Sequence, residues 1–229
     1  MNERLRASLA QLNDDFRAAI DQLPEASAGN EAVTGTLVRD FLQRVMPQGS
    51  LHQHGILLDG DGREAGPVSV VVERPNALSL PDAATGHRLH MVEYLATALL
   101  ATPDLQKERF HDVLRSILSL RSLEVRGSSP SLHPQRVPIY LVVFDGPADA
   151  NAAARQFQPN EILSNVPDGV WVVKQQYFLC FQKDQYSPTC QVYEAEEAIL
   201  YFLSRLDAHL REALERSPGL MDYLERELA

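Results

Sequence analysis

Acidic side chains are the groups in this sequence whose spacing comes nearest to a recognisable chemistry. Asp59, Asp61 and Glu64 follow one another closely around two Asp-Gly pairs. Clustered carboxylates bind hard divalent cations such as Mg²⁺ and Ca²⁺. This cluster lacks the later glutamate of an EF-hand loop, so the pattern favours a solvated turn. Two more acids, Glu73 and Glu93, border predicted strands, and either is a candidate for a displaced metal ligand.

Histidines occur in two pairs. His52 and His54 would share one side of a strand, and His87 and His90 would share one side of a helical turn. Imidazole pairs of this kind are ligands for transition metals. Surface and loop histidines are the favoured interpretation of both pairs, and a metal site is the alternative.

Covalent catalysis has little support in the sequence. Ser69 is the serine that stands in a strand-like run, and no Gly-x-Ser-x-Gly elbow surrounds it. No glycine-rich phosphate loop of either common type is present. We therefore do not interpret Ser69 as a nucleophile.

Basic residues concentrate in one stretch, where acids interrupt them. This mixture is typical of a solvated helix face, and a remnant of a nucleic-acid groove is the alternative. The basic residues are Lys107, Arg109, Arg115, Arg121, Arg126 and Arg136, and the acids among them are Glu108, Asp112 and Glu124.

The overall charge disfavours general nucleic-acid binding. The formal net charge is -10, which repels a phosphate backbone unless basic groups share one face. The two cysteines, Cys180 and Cys190, lie in strand-like surroundings and form no metal-binding pattern. We find no signal peptide and no apolar run long enough for a membrane span, and expect a cytoplasmic setting.

Alternating elements predict a single α/β domain over residues 1–229, with a mixed central sheet flanked by helices. A turn at Asp59-Gly60-Asp61-Gly62 joins two strands into a hairpin from Gly55 to Val72. A central strand is predicted within 91–100, and Thr102-Pro103-Asp104 then resembles a helix start. The other predicted strands are 137–144, 169–174 and 177–182, and the other predicted helices are 31–45, 102–123 and 148–156.

Both ends of the chain carry apolar stripes at helical spacing. Residues 1–24 form an amphipathic helix, and residues 194–229 form a helical segment with a break at Ser217-Pro-Gly. The first helix is expected to pack on its own domain, with a partner subunit as the alternative. The two stripes favour a homodimer or a complex with a protein partner.

Several short patterns occur in the order of one known family. They are Gly35-Thr-Leu with Phe41-Leu42 and Pro47, then Gly55-Ile-x-x-Asp59-x-x-Gly62-Arg63, then Val68-x-Val70-Val71-Val72, and finally the run 137–144. In this order they resemble a bacterial family of the PD-(D/E)XK, restriction-endonuclease-like superfamily. The resemblance covers about residues 30–215 and implies a restriction-endonuclease-like domain.

The resemblance also implies a metal site that this sequence does not reproduce. The superfamily places an Asp on the second hairpin strand and Glu-x-Lys on the next strand, to hold Mg²⁺ and to activate water. Here Ser69 takes the Asp position, and Thr97 and Leu99 take the positions of Glu and Lys. The resemblance also implies a glutamate on the first helix, where this sequence has Arg39 beside Asp40. We therefore predict no catalytic residue, no cofactor and no metal.

The leading hypothesis is a non-catalytic protein of nuclease fold that acts by binding, as a regulator or scaffold in bacterial defence. One alternative is a Mg²⁺-dependent nuclease with a migrated site. The acids available to that site are Asp40, Asp59, Glu73 and Glu93. Another alternative is a small-ligand sensor that uses the old cleft.

Overall fold

The computed structural model describes residues 3–24, 30–46, 49–125, 136–157, 166–183 and 188–215. The helices are α1 (Glu3–Asp21), α2 (Glu31–Val45), α3 (Lys107–Arg121), α4 (Ala150–Gln156) and α5 (Glu196–Glu215). The strands are β1 (Ser50–Leu58), β2 (Glu64–Glu73), β3 (Ser79–Pro81), β4 (Arg88–Met91), β5 (Leu95–Asp104), β6 (Ile139–Asp145), β7 (Gly169–Val172), β8 (Tyr177–Lys183) and β9 (Pro188–Glu194). A 3₁₀ turn at Val92–Tyr94 separates β4 from β5.

The described strands form one mixed sheet in the order β3-β4-β1-β2-β5-β6-β7-β8-β9. The hairpin strands β1 and β2 are antiparallel, and β2 is antiparallel to β5. The strands β5, β6 and β7 are parallel to one another, and β8 and β9 return antiparallel. The predicted fold class is confirmed: helices flank a mixed central sheet.

The two faces of the sheet carry separate hydrophobic layers. One layer packs β-strand residues against α3 and α4, through side chains such as Ile117 and Phe157. The other packs them against α1, α2 and α5, through an aromatic group that includes Phe16, Trp171 and Phe202. Central strands are apolar in almost every position because both of their faces are covered.

Helix α1 packs on the sheet of its own chain. The ring of Phe16 stacks on Phe41 of α2, with centroids 4.5 Å apart, and on Trp171 of β7, with centroids 5.5 Å apart. Leu9 and Ile20 are buried with it, while Leu5 is exposed. The stripe of residues 1–24 is therefore largely used within the domain.

The start of α3 differs from the prediction. Thr102, Pro103 and Asp104 belong to the end of β5, and Asp104 lies opposite Asp145 of β6 in the parallel ladder. Pairing with β6 overrides the local helix-start pattern, and α3 begins at Lys107. The connection over 76–90, for which no strand is predicted from the sequence, contains β3 and most of β4. The part of the predicted helical segment that follows residue 215 lies outside the described residues.

Candidate functional site

Ser69 lies near the middle of β2, at the position that the resemblance assigns to a metal-binding aspartate. Its side chain is buried, and its Oγ accepts a hydrogen bond of 2.9 Å from the backbone N–H of Ala101. The neighbouring pair in the ladder is Val70 opposite Leu99. Because β2 and β5 are antiparallel, Ser69 therefore lies beside Leu100.

The residues of β5 that share a cleft with Ser69 are Leu100, Ala101, Thr102 and Pro103. The cleft has a volume of about 250 Å³. Thr97 and Leu99, predicted from the sequence to occupy the Glu and Lys positions of the motif, do not line this cleft. The Thr97 hydroxyl donates to the carbonyl of Pro138. Leu99 is buried in the hydrophobic layer that packs against α1, α2 and α5. The structure thus places Leu100 and Thr102, three residues further along the strand, at the positions beside Ser69.

Among the described residues, two carboxylates line this cleft, and neither comes from the sheet. Glu31 is in the first turn of α2, and Asp112 is on α3; both are exposed. Asn30 caps α2 by accepting a hydrogen bond of 2.9 Å from the N–H of Ala32, which fixes where the helix starts and hence where Glu31 stands. Arg109, also on α3, is a further lining residue.

Helix α2 approaches the cleft closely through Gly35. A Cβ atom at this position would lie 2.9 Å from the carbonyl oxygen of Ser69. Glycine inside a helix costs about 1 kcal/mol relative to alanine, so a packing reason is expected for it. The close contact with β2 is that reason.

Asp59 is a structural carboxylate. Its Oδ1 accepts from the backbone N–H groups of Asp61 and Arg63, each at 2.9 Å, and its Oδ2 accepts from Arg63 Nε at 2.8 Å and from the N–H of Glu124 at 3.2 Å. Burial raises the pKa of Asp59, but these N–H donors and the charge of Arg63 outweigh it and leave the pKa below its ordinary value. Its oxygens are occupied by the chain itself.

Glu73 is buried between two imidazoles. Its Oε1 lies 2.9 Å from His90 Nδ1, and its Oε2 lies 3.3 Å from His52 Nε2. Burial lowers the pKa of His52, although the nearby Glu73 carboxylate opposes this shift. His90 is thus a buried core residue, against the expectation of a surface or loop position.

The other two acids proposed for a migrated site, Glu93 and Asp40, also lie outside the cleft. Glu93 is buried in the 3₁₀ turn between β4 and β5. Asp40 is exposed on α2, where its Oδ1 accepts from Arg39 Nη2 at 2.6 Å. The structure therefore does not bring Asp40, Asp59, Glu73 and Glu93 together.

No metal centre is preformed in the part of the chain that the structure describes. Within those residues, no group of three or more His, Cys, Asp or Glu side chains could hold a metal ion. Beside Ser69, the donors on the strands are the hydroxyls of Ser69 and Thr102, which are poor ligands for Mg²⁺ compared with carboxylates. Glu31 and Asp112 are the carboxylates that line the same space.

A larger cleft of about 860 Å³ lies next to the first, where β5 and β6 end. Pro103 and Arg109 line both clefts. Asp104, Asp145 and Lys174 also line the larger cleft. The carboxyl ends of parallel strands are where ligands commonly bind in open α/β sheets.

Sequence reasoning missed Glu31, Leu100, Thr102 and Asp112 as neighbours of Ser69. The signal that would have found the strand residues was the length of β5. The Thr-Pro-Asp pattern made the strand appear to end at Leu100, which shifted the expected motif towards its start. Nothing in the local sequence marks Glu31 or Asp112, since both belong to helices that meet the cleft only in the folded chain.

Known structures resemble this chain over its whole length. The cAAA-bound form of NucC from E. coli MS115-1 matches with a TM-score of 0.72 and 15% identity, covering 100% of this chain and 99% of that chain. The apo form of the same protein matches at 0.67 and 17%, covering 96% and 98%. The cAAA-bound NucC of P. aeruginosa ATCC27853 matches at 0.70 and 14%, covering 100% of both chains. No protein-family model and no curated protein matches the sequence.

These matches establish a restriction-endonuclease-like fold of the NucC type. They contradict the hypothesis of a non-catalytic protein that acts only by binding, because the structures that match over the full chain are those of nucleases. The prediction that the chain is not an enzyme is contradicted on the same ground. The description of the chain as a pseudoenzyme is not supported.

No helix in the described part of the chain combines the length and the apolar character that a membrane crossing requires.

Proposed function

We propose that this chain is a metal-dependent nuclease that cleaves nucleic acid in the cleft beside Ser69. The observation that carries the proposal is the full-length likeness to NucC, at TM-scores of 0.72 and 0.70, combined with a cleft at the strand pair where the superfamily has its site. The proposal corresponds to the alternative of a Mg²⁺-dependent nuclease with a migrated site. Its acids are not those named from the sequence, which are Asp40, Asp59, Glu73 and Glu93.

Glu31 and Asp112 are the residues that would hold the metal. Both line the cleft from helices on opposite faces of the sheet, α2 and α3. Mg²⁺ commonly takes only one or two carboxylates from a protein and completes its octahedron with waters and substrate phosphates. A bound divalent metal would supply charge stabilisation and a more acidic water.

The hydroxyl of Ser69 has a positioning role in this proposal. Ser69 Oγ accepts from the N–H of Ala101, so its own proton is free to be donated to a substrate oxygen. The Thr102 hydroxyl is committed to the carbonyl of Asp104 at 2.9 Å. Ser69 therefore contributes a neutral hydrogen-bond donor where the superfamily has a carboxylate.

The test is a cleavage assay with purified protein. Duplex DNA, single-stranded DNA and single-stranded RNA are incubated with Mg²⁺ or Mn²⁺, and with EDTA as the metal-free reference. We expect metal-dependent cleavage of at least one substrate, and a loss of about 100-fold or more in rate for Glu31→Gln and for Asp112→Asn.

The matched control is Glu108→Gln, which removes an exposed acid from the same helix as Asp112 without touching the cleft. Its rate should equal that of the wild type. Cleavage that survives both Glu31→Gln and Asp112→Asn would place the site elsewhere, and no cleavage of any substrate with either metal would refute the nuclease.

We further propose that a small cyclic nucleotide regulates the activity, as part of a role in bacterial defence. Two of the matching NucC structures are cAAA-bound, and the chain matches the bound E. coli form at a TM-score of 0.72 against 0.67 for the apo form. Calorimetry with cAAA tests this directly. We expect binding together with faster cleavage; neither binding nor a change in rate would refute the proposal for this ligand.

Self-association is the remaining part of the proposal. Large apolar side chains stay exposed on both terminal helices: Leu5 on α1, and Tyr201 and Leu214 on α5. A homodimer or larger homo-oligomer would cover them. Light scattering over a range of protein concentrations tests this self-association. A monomer at every concentration would exclude a homo-oligomer.

A further inference from the structure

Arg109 is the one cation among the described residues that line the cleft beside Ser69. The strand position at which the superfamily has a lysine carries Thr102, which is buried and uncharged. Phosphoryl transfer needs positive charge near the phosphate, since the transition state spreads negative charge over the phosphate oxygens. If the cleft receives a phosphate, Arg109 is the cationic side chain in the described part of the chain that can meet it.

A chain of contacts ties Arg109 to the end of β5. The Thr102 hydroxyl donates to the backbone carbonyl of Asp104, and the Asp104 carboxylate accepts from Arg109 Nη1. The other oxygen of Asp104 accepts from the N–H of Gln106 at 3.0 Å, which fixes the carboxylate. Asp104 therefore holds the guanidinium at the mouth of the cleft.

The pairing with Asp104 leaves Arg109 able to bind an anion. A guanidinium has five N–H donors in a planar fork, and the contact with Asp104 uses one of its terminal nitrogens. The Arg109 side chain is 44% exposed, so a ligand in the cleft can reach it from solvent. Arginine is suited to phosphate because two parallel N–H groups match two phosphate oxygens.

Arg109 also stands where the two clefts meet, because it lines both of them. In the larger cleft the other lining cation is Lys174, whose Nζ lies 2.8 Å from Asp21 Oδ1 on α1. A nucleic-acid strand that enters the cleft beside Ser69 and continues past Pro103 would pass Arg109.

We propose that Arg109 is the phosphate-binding cation of this cleft and takes over the charge that the superfamily places on a strand lysine. The inference rests on the proposed nuclease function for its catalytic part. Its binding part, the recognition of a nucleic-acid phosphate, depends only on the position of Arg109 in the cleft and not on cleavage. Asp104 is the positioning residue that aims the guanidinium.

The experiment measures binding and cleavage separately. Binding of a short single-stranded DNA is followed by fluorescence anisotropy in EDTA, over a series of salt concentrations. We expect Arg109→Gln to weaken binding about fivefold or more at low salt and to reduce the slope of log K against log salt by about 1. In the metal-supported cleavage assay, we expect the kcat of Arg109→Gln to fall about 100-fold.

Three further variants separate the charge of Arg109, its orientation by Asp104, and the effect of any nearby cation. They are Arg109→Lys, Asp104→Asn and Lys107→Gln. Arg109→Lys keeps the charge and should restore most of the salt slope, but only part of kcat, because the bidentate fork is lost. Asp104→Asn should lower kcat more than it weakens binding. Lys107→Gln removes an exposed cation from the first turn of the same helix and should change neither quantity by more than about twofold.

The outcomes separate the inference from the proposed function. If the wild type cleaves nothing but Arg109→Gln still weakens binding and lowers the salt slope, the nuclease is refuted and the phosphate site is supported. If Arg109→Gln behaves like Lys107→Gln in both assays, the inference is overturned even where the wild type cleaves. A loss of folding in Arg109→Gln is recognised by circular dichroism, and Arg109→Lys then serves as the deciding variant.

Discussion

The hydroxyl of Ser69 and the backbone N–H of Ala101 are joined by a hydrogen bond of 2.9 Å across the β2–β5 ladder. This bond places Leu100 and Thr102, rather than Thr97 and Leu99, beside Ser69. The register of the superfamily motif in this chain can therefore be tested by restoring the motif in each of the two possible positions.

A triple variant with Ser69→Asp, Leu100→Glu and Thr102→Lys should gain Mn²⁺ affinity about tenfold or more over the wild type, because the two carboxylates then face one cleft. Calorimetry with Mn²⁺ measures this gain. The matched control combines Ser69→Asp with Thr97→Glu and Leu99→Lys. It should gain no affinity and should lose about 3 kcal/mol or more of stability, since Thr97 and Leu99 are fully buried. The opposite ranking would mean that the register is wrong.

Asp59 should be important for stability and irrelevant to metal chemistry. Asp59→Ala removes the acceptor of four hydrogen bonds and leaves the backbone N–H groups of Asp61, Arg63 and Glu124 without this acceptor, so we expect a loss of about 2–3 kcal/mol in urea unfolding. The folded-state pKa of Asp59 lies below its ordinary value of 3.8, so its contribution is complete above that pH and is lost as the pH falls through the lower folded pKa.

The control for this prediction is Asp61→Ala on the same turn. Its carboxylate is 38% exposed and bonds the partly exposed Arg63, so the loss should stay within about 1 kcal/mol. Equal losses for the two variants would show that the turn tolerates the removal of Asp59.

We expect the buried contact between Glu73 and His90 to contribute to the stability of the folded chain. Replacing His90 by Ala leaves the Glu73 carboxylate without its close neighbour at 2.9 Å, and we expect a loss of about 3 kcal/mol. Metal-dependent cleavage at a temperature where the variant is folded should be unchanged, because neither side chain lines the cleft. A rate loss under those conditions would return Glu73 to the list of catalytic candidates.

Stability should decrease when the pH is lowered from about 7 to 5. Burial lowers the pKa of His209 below its ordinary value of 6.5, and the pKa of His52 is lowered by burial as well. In this range the unfolded chain binds more protons than the folded chain, so the free energy of unfolding falls with falling pH. Replacing His209 by Gln should make the dependence shallower, with urea unfolding at several pH values as the measurement. An unchanged slope would show that His209 is not one of the groups responsible.

The aromatic contact of α1 gives a test of the docking of the N-terminal helix. Phe16→Ala removes a buried ring that stacks on Phe41 and Trp171, and should cost about 3–5 kcal/mol. Leu5→Ala, at an exposed position of the same helix, should cost less than about 1 kcal/mol. If the two variants were equally stable, the packing of α1 on the sheet would be in doubt.

Local patterns predicted much of the fold and little of the site. The hairpin was readable because Asp-Gly pairs and β-branched runs agree, and α2 has the predicted bounds because an Asn cap and a periodic stripe agree. The site depends on pairing between β2 and β5, a long-range property that no local pattern specifies. Thr102-Pro103-Asp104 has the chemistry of a helix start, yet the ladder with β6 keeps it extended.

Gly35 gives the cleft a further property. The space between α2 and the carbonyl of Ser69 has no room for a Cβ atom, which would come within 2.9 Å of that oxygen. Helix α2 also carries Glu31 at its start. A methyl group added at Gly35 would therefore push helix α2 away from the sheet. Glu31, at the start of the same helix, would move with it and away from the residues on the other side of the cleft. A substitution at Gly35, which is not among the residues that line the cleft, would thus change the shape of the cleft from outside it.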